Sequence, residues 1–393
     1  MLCIMGLIKK VNTWSYDGLI DYLSVNPTRD EVTHFKVDPE NDEEESIMKL
    51  RTARDFGSIT CLDYSDQENG LVAVGEKSGF IRLFNIIMRD NSELESFDMK
   101  VRAKQQRCIN TLAINGNGLV SMGLDRNKND SSLQVWDINY QNRDSTIVNP
   151  TFSYCVNESI VSSKFLDDTG LIVASTKFIK EIDLRSANPV CQHPTRLSYD
   201  VKLNPFNSWE FSSYGDDGTL AIWDRRKLIR SSNSSELNVA EPLLTFDKLL
   251  GVGAASRKYM NSCFRWSSDR NREFSTLHRG DTIKRWWLGS CGTNKEDEND
   301  VEDLFVSTVH DINTTFDRVV TFDYIPQSKH KVSLICMRQS GTVYRMPVTQ
   351  SFTTTSFNNG NSLLLSNCEM SDINEIKVTK TEEKSNFEER SLL

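Results

Sequence analysis

The sequence predicts an all-β fold: seven similar sheets in a ring, a seven-bladed β-propeller, with a short polar C-terminal tail. The first observation is a strand–turn–strand pattern that recurs seven times along the 393 residues. The second is a further short apolar strand before most copies. The third is the number of copies, since rings of this kind close with about 4 to 8 sheets. We therefore assign residues 1–368 to the propeller and 369–393 to a disordered tail.

The clearest copy of the pattern runs from Ser208 to Arg226. A first strand leads into a turn at Asp217 and Gly218, and the alternating strand Thr219 to Trp223 follows, closed by Asp224. The turn has a physical basis, because glycine readily adopts the positive φ that a tight hairpin requires.

The other six copies are degraded versions of the same hairpin. They span Asp21–Val37, Leu71–Ile86, Leu119–Ile138, Leu171–Leu184, Glu273–Leu288 and Val332–Met346. A preceding strand is expected at Ile59–Tyr64, Ile109–Ile114, Ile160–Phe165, Tyr199–Leu203, Ser262–Trp266 and Val319–Tyr324.

The spacing of the copies fits propeller blades. Equivalent residues near the end of the third strand lie 41 to 63 residues apart, namely Phe35, Phe84, Trp136, Ile182, Trp223, Trp286 and Tyr344. A four-stranded sheet with two apolar faces is unstable alone, so neighbouring blades must cover it. To close the ring, we expect Gly6 to Asn12 to form the outermost strand of the last blade.

Charge and composition limit the possible partners. The formal net charge is -9, with 46 Lys and Arg against 55 Asp and Glu, which disfavours general binding to nucleic acid or anionic lipid. Two basic clusters remain, Lys100–Arg107 and Arg225–Arg230. We predict Arg225, Arg226 and Lys227 as partner-binding residues, either solvated in a loop or paired with an acidic protein. A nucleic-acid scaffold using Lys100, Arg102, Lys104 and Arg107 is an alternative.

No motif in the sequence points to catalysis, so we predict no enzyme, cofactor, metal site or small-molecule substrate. The nine cysteines form no C-x-x-C pair and are interpreted as reduced, small core residues. The five histidines are scattered, and no G-x-S-x-G motif occurs. No apolar run is long enough to insert into a membrane. An enzyme that uses the central channel of the ring is the alternative.

Two tryptophan–aspartate pairs make the resemblance specific. Trp136-Asp137 and Trp223-Asp224, with the phrase DGTLAIWD around the second pair, resemble WD repeats. We assign these residues, together with Asp217, Gly218 and Trp286, a structural role, because a tryptophan ending an inner strand fills space and the aspartate holds a turn.

Beyond the generic repeat, the chain closely resembles the amino-terminal propeller of the Mio family, the fungal SEA-complex subunit related to the animal missing oocyte protein. The stretches that carry this resemblance lie at Met5–Val11, Tyr22–His34, Phe56–Tyr64, Arg107–Asp137, Tyr214–Leu228, Gly253–Trp266, Leu277–Trp286 and Ile335–Pro347.

The resemblance implies an interaction scaffold. Mio-like proteins belong to the SEACAT (GATOR-type) subcomplex at the vacuolar or lysosomal surface, which antagonises the subcomplex acting on Rag-type GTPases and so promotes TOR complex 1 signalling. The implied partners are other SEA subunits, including nucleoporin-like and coat-like small propellers. A helical solenoid and a zinc region follow the propeller in that family. The alternatives are a generic WD-repeat scaffold of another complex or a truncated, non-functional fragment.

Overall fold

Seven antiparallel sheets follow one another along the chain in the computed structural model. The structure describes residues 7–11, 18–26, 29–41, 46–54, 56–65, 70–85, 96–102, 107–138, 146–147, 149–186, 189–195, 198–215, 218–226, 242–246, 264–278, 282–290, 302–310, 318–326, 332–348, 353–355 and 378–380.

The first three sheets are built from strands of five to seven residues, with one exception. The first sheet holds β1 (Leu7–Val11), β2 (Ile20–Asn26), β3 (Glu31–Val37) and β4 (Ile47–Ala53) in that order. The second holds β5 (Ile59–Tyr64), β6 (Leu71–Glu76), β7 (Phe80–Asn85) and β8 (Ser96–Arg102). The third holds β9 (Ile109–Ile114), β10 (Leu119–Leu124), β11 (Ser131–Asp137) and, after the two-residue β12 (Thr146–Ile147), β13 (Phe152–Val156). The short β12 pairs parallel to β8 of the second sheet.

The remaining four sheets repeat this order. The fourth holds β14 (Ile160–Phe165), β15 (Gly170–Ser175), β16 (Phe178–Asp183) and β17 (Pro189–Pro194). The fifth holds β18 (Ser198–Leu203), β19 (Glu210–Gly215), β20 (Leu220–Asp224) and β21 (Leu244–Phe246). The sixth holds β22 (Phe264–Trp266), β23 (Glu273–His278), β24 (Thr282–Ser290) and β25 (Glu302–His310). The seventh holds β26 (Val319–Ile325), β27 (Val332–Arg338) and β28 (Val343–Val348).

Within the described residues, both strands of each predicted hairpin are present. The predicted preceding strands are present too, and Ser262–Trp266 is described only from Phe264 onward. In each case the second and third strands of a sheet pair antiparallel, as β19 and β20 do between Glu210 and Asp224. Gly79 and Gly218, at two predicted turns, have φ of 87° and 80°. At Gly79 a Cβ would also lie 2.8 Å from the carbonyl oxygen of Arg107, so a side chain is excluded there on two grounds.

Neighbouring sheets bury each other's apolar faces. Leu23 and Val25 of the first sheet pack in one cluster with Val72 and Phe84 of the second. Comparable clusters join the second sheet to the third, the third to the fourth, the fourth to the fifth, and the sixth to the seventh. Trp266 Nε1 donates to Ser212 Oγ at 3.2 Å between the sixth and fifth sheets. First strands of neighbouring sheets contact one another, for example β5 with β9, β9 with β14 and β14 with β18. They are the innermost strands, which in a propeller surround the central channel.

The ring closes between the seventh and first sheets. The Tyr22 hydroxyl donates to the carbonyl oxygen of Tyr324 at 2.6 Å, and both residues are buried. Arg345 of β28 donates to the carbonyl oxygens of Asp38 and Pro39, just after β3, at 2.8 and 3.1 Å. An apolar cluster that includes Val37 and Ile335 lies beside these bonds. The predicted seven-bladed β-propeller is therefore confirmed.

The predicted role of the N-terminal segment is wrong. Leu7 to Val11 form β1, which pairs with β2 as the innermost strand of the first sheet and not as the outermost strand of the last. β1 contacts β5 on one side and β26 on the other. The physical reason is that β2 offers a hydrogen-bonding edge to the channel, and none of the predicted strands fills the position that β5 or β9 fills in the other sheets.

Two short strands near the C-terminus extend the outer edges of sheets. β29 (Thr353–Thr355) pairs with β25, and β30 (Val378–Lys380) pairs with β21. The prediction of a disordered tail is therefore wrong for residues 378–380, because they add backbone hydrogen bonds to the fifth sheet. The rest of 369–393, and the predicted boundary at 368, lie outside the described residues.

The described cysteines behave as small core residues. Cys61, Cys191 and Cys336 are buried and none is in a disulfide. Burial raises the pKa of the Cys61 thiol to about 12 and that of Cys191 to about 11. Because the thiolate is the reactive form, these two side chains are inert near neutral pH.

Candidate interaction surface

One end of the ring carries exposed aromatic side chains. In each sheet the loop from the first to the second strand and the loop after the third strand leave the ring at the same end, here called the lower rim. In the fifth sheet these are residues 204–209 and 225–226, joined by a hydrogen bond from Arg225 N to the carbonyl oxygen of Trp209 at 2.8 Å.

The loop between β18 and β19 is held rigid by its polar side chains. Asn204 Oδ1 accepts from Phe206 N at 3.0 Å, and Asn207 Oδ1 accepts from Trp209 N at 3.1 Å. Both amide nitrogens donate to the carboxylate of Glu210 at 2.9 Å. These turns leave Phe206 and Trp209 at the tip, with 45% and 44% of their surface exposed.

Two arginines stack beside the exposed tryptophan. The guanidinium carbons of Arg225 and Arg226 lie 5.6 and 5.8 Å from the centroid of the Trp209 ring. Arg226 Nη2 bonds Asp224 Oδ2 at 2.7 Å, and Arg225 Nη2 bonds Glu181 Oε1 of the fourth sheet at 2.7 Å. Bidentate pairing fixes a guanidinium plane, and a fixed plane stacks well on an aromatic ring.

The predicted partner-binding residues divide into three cases. Arg225 is nearly buried, with 11% of its side chain exposed, and its charge joins two sheets of the ring. Arg226 is 58% exposed and lies on the surface beside Trp209. Lys227 lies outside the described residues. Carboxylates of the same chain therefore already pair both arginines, and Phe206 and Trp209 are exposed beside them.

The fourth sheet repeats the aspartate–arginine pair at the same end. Asp183 ends β16 and binds Arg185 through both oxygens, at 2.9 and 2.7 Å for the shortest contacts. Hydrogen bonds from the Arg185 side chain lower the pKa of Asp183 to about 2. Arg185 is 73% exposed. In both sheets the aspartate that ends the third strand is thus paired with an arginine two residues later.

The residues predicted to be structural repeat positions lie in the third strands and in the turns beside them. Trp136 and Trp223 are buried next to the last residue of β11 and β20, and Trp286 is buried in the middle of the longer β24. Asp224 Oδ1 accepts from Arg226 N at 2.9 Å, so it holds a turn, while Asp137 N donates to Thr151 Oγ1 at 3.2 Å. Gly218 lies in the hairpin turn, and Asp217 lies outside the described residues.

The basic cluster at 100–107 does not form a patch through Arg107. This side chain is buried and donates to Asp130 Oδ2 at 3.2 Å, Ser131 O at 2.7 Å and Ser132 Oγ at 2.8 Å. The Arg107 guanidinium therefore stabilises the loop before β11, and because it is buried it cannot contact a nucleic acid. Lys104 lies outside the described residues, and so do the side chains of Lys100 and Arg102.

Within the part of the chain that the structure describes, no group of three His, Cys, Asp or Glu side chains is placed to hold a metal ion. Within the same residues, no helix has the length and apolar character needed to cross a membrane.

Sequence reasoning missed the exposed aromatic residues. Phe206 and Trp209 belong to the stretch NPFNSWE, in which polar turn residues surround two large apolar side chains. Trp287, which is 38% exposed, follows the buried Trp286 in β24. An aromatic residue inside a loop of Asn, Pro and Ser was the available signal, because such a loop lies on the surface.

Comparison with known proteins gives the relatives of the chain. No protein-family model matches it. It is 59% identical to SEH-associated protein 4 of Saccharomyces cerevisiae, over 98% of this chain and 42% of that protein. It is 24% identical to an uncharacterized WD repeat-containing protein of Schizosaccharomyces pombe, over 52% of this chain and 22% of that protein. It is 29% identical to GATOR2 complex protein Mio of Drosophila melanogaster, over 42% of this chain and 18% of that protein. The chain thus spans less than half the length of these relatives, and the family resemblance predicted from the sequence is confirmed.

Proposed function

Because this chain is a relative of the Mio family, we propose that it is a non-enzymatic interaction scaffold, the propeller part of a SEA- or GATOR2-type subunit. The finer proposal is that it acts in the SEACAT subcomplex at the vacuolar surface. There it would antagonise the subcomplex that acts on Rag-type GTPases and so promote TOR complex 1 signalling. The proposed partners are other SEA subunits, including the nucleoporin-like and coat-like small propellers.

The observation that supports a scaffold most strongly is the pair of exposed aromatics on a rigid loop of a closed ring. Large aromatic side chains dominate the energy of protein interfaces, and Trp with Arg is an enriched combination. Phe206 and Trp209 are held in place before binding, so little conformational entropy is lost when a partner covers them. The backbone of the ring, closed by Tyr22 and Arg345, supplies the rigid support.

The test is co-purification of the tagged full chain with SEA-type subunits from fungal extract, with crosslinking and mass spectrometry. We expect the small propellers to be recovered with the wild-type chain and to be lost, by about tenfold or more, with Phe206→Ser and Trp209→Ser combined.

A matched control removes two exposed apolar side chains elsewhere. Met48 and Leu50 on β4 are 43% and 42% exposed, and Met48→Ser with Leu50→Ser should leave recovery unchanged. A wild-type chain that purifies as a monomer contradicts the scaffold. Equal loss in both double variants contradicts the assignment of the contact to the lower rim.

A further inference from the structure

The central channel contains a cluster of positive charge on three adjacent sheets. Lys164, Lys202 and Arg265 are each the next-to-last residue of the first strand, in β14, β18 and β22. Their cross-strand partners in the second strands are Ile172, Ser212 and Ser275, two residues after the start of β15, β19 and β23. The three cations therefore stand at one level of the channel wall, near the lower rim.

One carboxylate lies among these cations. Asp200 Oδ2 is 2.8 Å from Lys202 Nζ, and Asp200 Oδ1 accepts from the Ser162 hydroxyl at 2.6 Å. Arg265 donates to the carbonyl oxygen of Phe264 at 3.0 Å. Lys164 interacts electrostatically with Asp200 and with Arg265, but it makes no hydrogen bond or ion pair with the described residues. Among the described residues, these three cations and one carboxylate carry a net charge of +2.

The first strands of the other sheets do not supply the missing charge through their described side chains. Asp63 in β5 and Ala113 in β9 hold the equivalent position. In β26 the next-to-last residue is Tyr324, and the acidic residue is its neighbour Asp323. Lys10 holds the position in β1, and its side chain lies outside the described residues. Asp63 Oδ2 accepts from Ile114 N at 3.0 Å, so its carboxylate is turned to the third sheet. Asp323 Oδ1 accepts from Tyr324 N at 2.9 Å in the seventh sheet. Neither carboxylate is among the charges that act on Lys164 or Lys202.

The ionisation of the lysines agrees with this charge balance. Desolvation by burial, followed by the like charge of Arg265, lowers the pKa of Lys202 to about 8. Desolvation also lowers the pKa of Lys164, against the opposing effect of Asp200. Both shifts mean that the described residues compensate the charged forms only in part, and an added anion would favour these charged forms.

We propose that Lys164, Lys202 and Arg265 form an anion-binding site at the lower mouth of the central channel, for a dianionic phosphate group. A phosphate with two negative charges balances the cluster and offers oxygens to Nζ and guanidinium donors together. The group can be free phosphate or a phosphate ester, since both present the same oxygens. The site is independent of the aromatic surface of Phe206 and Trp209.

The experiment titrates the full chain with inorganic phosphate, and separately with inositol hexakisphosphate, by calorimetry at pH 7 and constant ionic strength. We expect one binding site and a rise in unfolding temperature with phosphate. Lys164→Met should weaken binding by about tenfold, because one charge-assisted hydrogen bond is lost. Lys177→Met, an exposed lysine in the turn after β15, is the matched control and should bind like the wild type. If inositol hexakisphosphate binds more tightly than inorganic phosphate, the ligand is a phosphate ester. If the two affinities are equal after correction for the number of phosphate groups, the ligand is free phosphate.

Two results would overturn the site: no binding at millimolar phosphate by the folded wild type, or equal binding by the wild type and Lys164→Met. If Lys164→Met does not fold, Lys164→Arg keeps the charge and should retain binding, and its failure to bind while folded counts against the site. A second readout is the pH dependence of the wild type. Affinity should fall as pH rises through about 8, because Lys202 loses its proton while Arg265 and Asp200 keep their charges.

Discussion

The third and fifth sheets place a tryptophan at the same position and surround it differently. Trp136 and Trp223 each lie next to last in the third strand, before an aspartate, and both are buried. Trp223 Nε1 donates to Ser213 Oγ at 2.8 Å, and in the sixth sheet Trp286 Nε1 donates to Thr276 Oγ1 at 2.7 Å. Trp136 Nε1 has no partner among the described residues, because Met122 stands where Ser213 stands in the fifth sheet.

The difference shows which part of the repeat is required. Filling space between two sheets is common to all three tryptophans, whereas the polar contact varies with one residue of the second strand. The third sheet satisfies polar groups at its other end, where Arg107 bonds Ser131 and Ser132. Each of these sheets therefore keeps a large buried apolar side chain at this position, whereas the hydrogen bond of that side chain differs from sheet to sheet.

The largest expected effect concerns a buried ion pair that the third sheet lacks. Arg285 bonds both oxygens of Glu273 at 2.6 and 2.7 Å, and both side chains are almost fully buried. Arg285→Met should destabilise the fold by about 3 kcal/mol, because it leaves the buried Glu273 carboxylate with only the more distant Arg270, 3.9 Å from Oε2. Urea unfolding followed by tryptophan fluorescence measures this.

The third sheet supplies the control for that pair. Leu119 and Val135 occupy the corresponding positions there, as the register of β10 with β11 shows. Glu273→Leu with Arg285→Val copies this arrangement and should restore most of the lost stability. If the double variant is as unstable as Arg285→Met, the prediction that an apolar pair can replace this ion pair is wrong.

The next effect is a pH dependence that involves the buried tryptophan of the fifth sheet, Trp223. His193 of β17 packs edge-on against Trp223, with ring centroids 4.6 Å apart, and burial lowers the pKa of His193 to about 4. The unfolded chain binds the proton near pH 6.5 and the folded chain only near 4. The contribution of neutral His193 to the free energy of unfolding is therefore fully present above pH 6.5. It falls, by up to about 1.4 kcal/mol per pH unit, as pH drops from 6.5 to 4.

His193→Phe should reduce that slope by removing the titrating group while keeping a ring against Trp223. Unfolding midpoints of both proteins between pH 4 and 7 test this. Identical slopes in the two proteins would show that His193 does not control the acid sensitivity.

The smallest effect compares the two tryptophans directly. Trp223→Phe and Trp136→Phe remove similar volume, but only the first leaves a buried hydroxyl, Ser213 Oγ, without its donor. Trp223→Phe should therefore cost about 1 kcal/mol more than Trp136→Phe. Ser213→Ala, with an expected cost of about 1 kcal/mol, checks the same bond from the other side. Equal costs for the two tryptophan variants would contradict the comparison.

Most of the fold was predictable because hairpins are local. Alternating strands joined by glycine turns, as at Gly79 and Gly218, specify their own pairing within about twenty residues. The segment Leu7–Val11 was assigned to the wrong sheet, because its partner depends on which edge is vacant in the folded ring. Arg107 was likewise misjudged, since a run of basic residues does not reveal which member turns inward to carbonyl oxygens.

The sequence by itself determined seven sheet modules with apolar faces on both sides, through the spacing of apolar residues and of turn glycines. Only the tertiary structure decided which charged side chains form ion pairs within the chain and which lie near charges of the same sign. Arg225 pairs with Glu181 of the neighbouring sheet, while Lys164 meets Lys202 and Arg265 with one carboxylate among them. The reason is that charge balance depends on distances between residues far apart in the chain, and packing the sheets around one axis sets those distances.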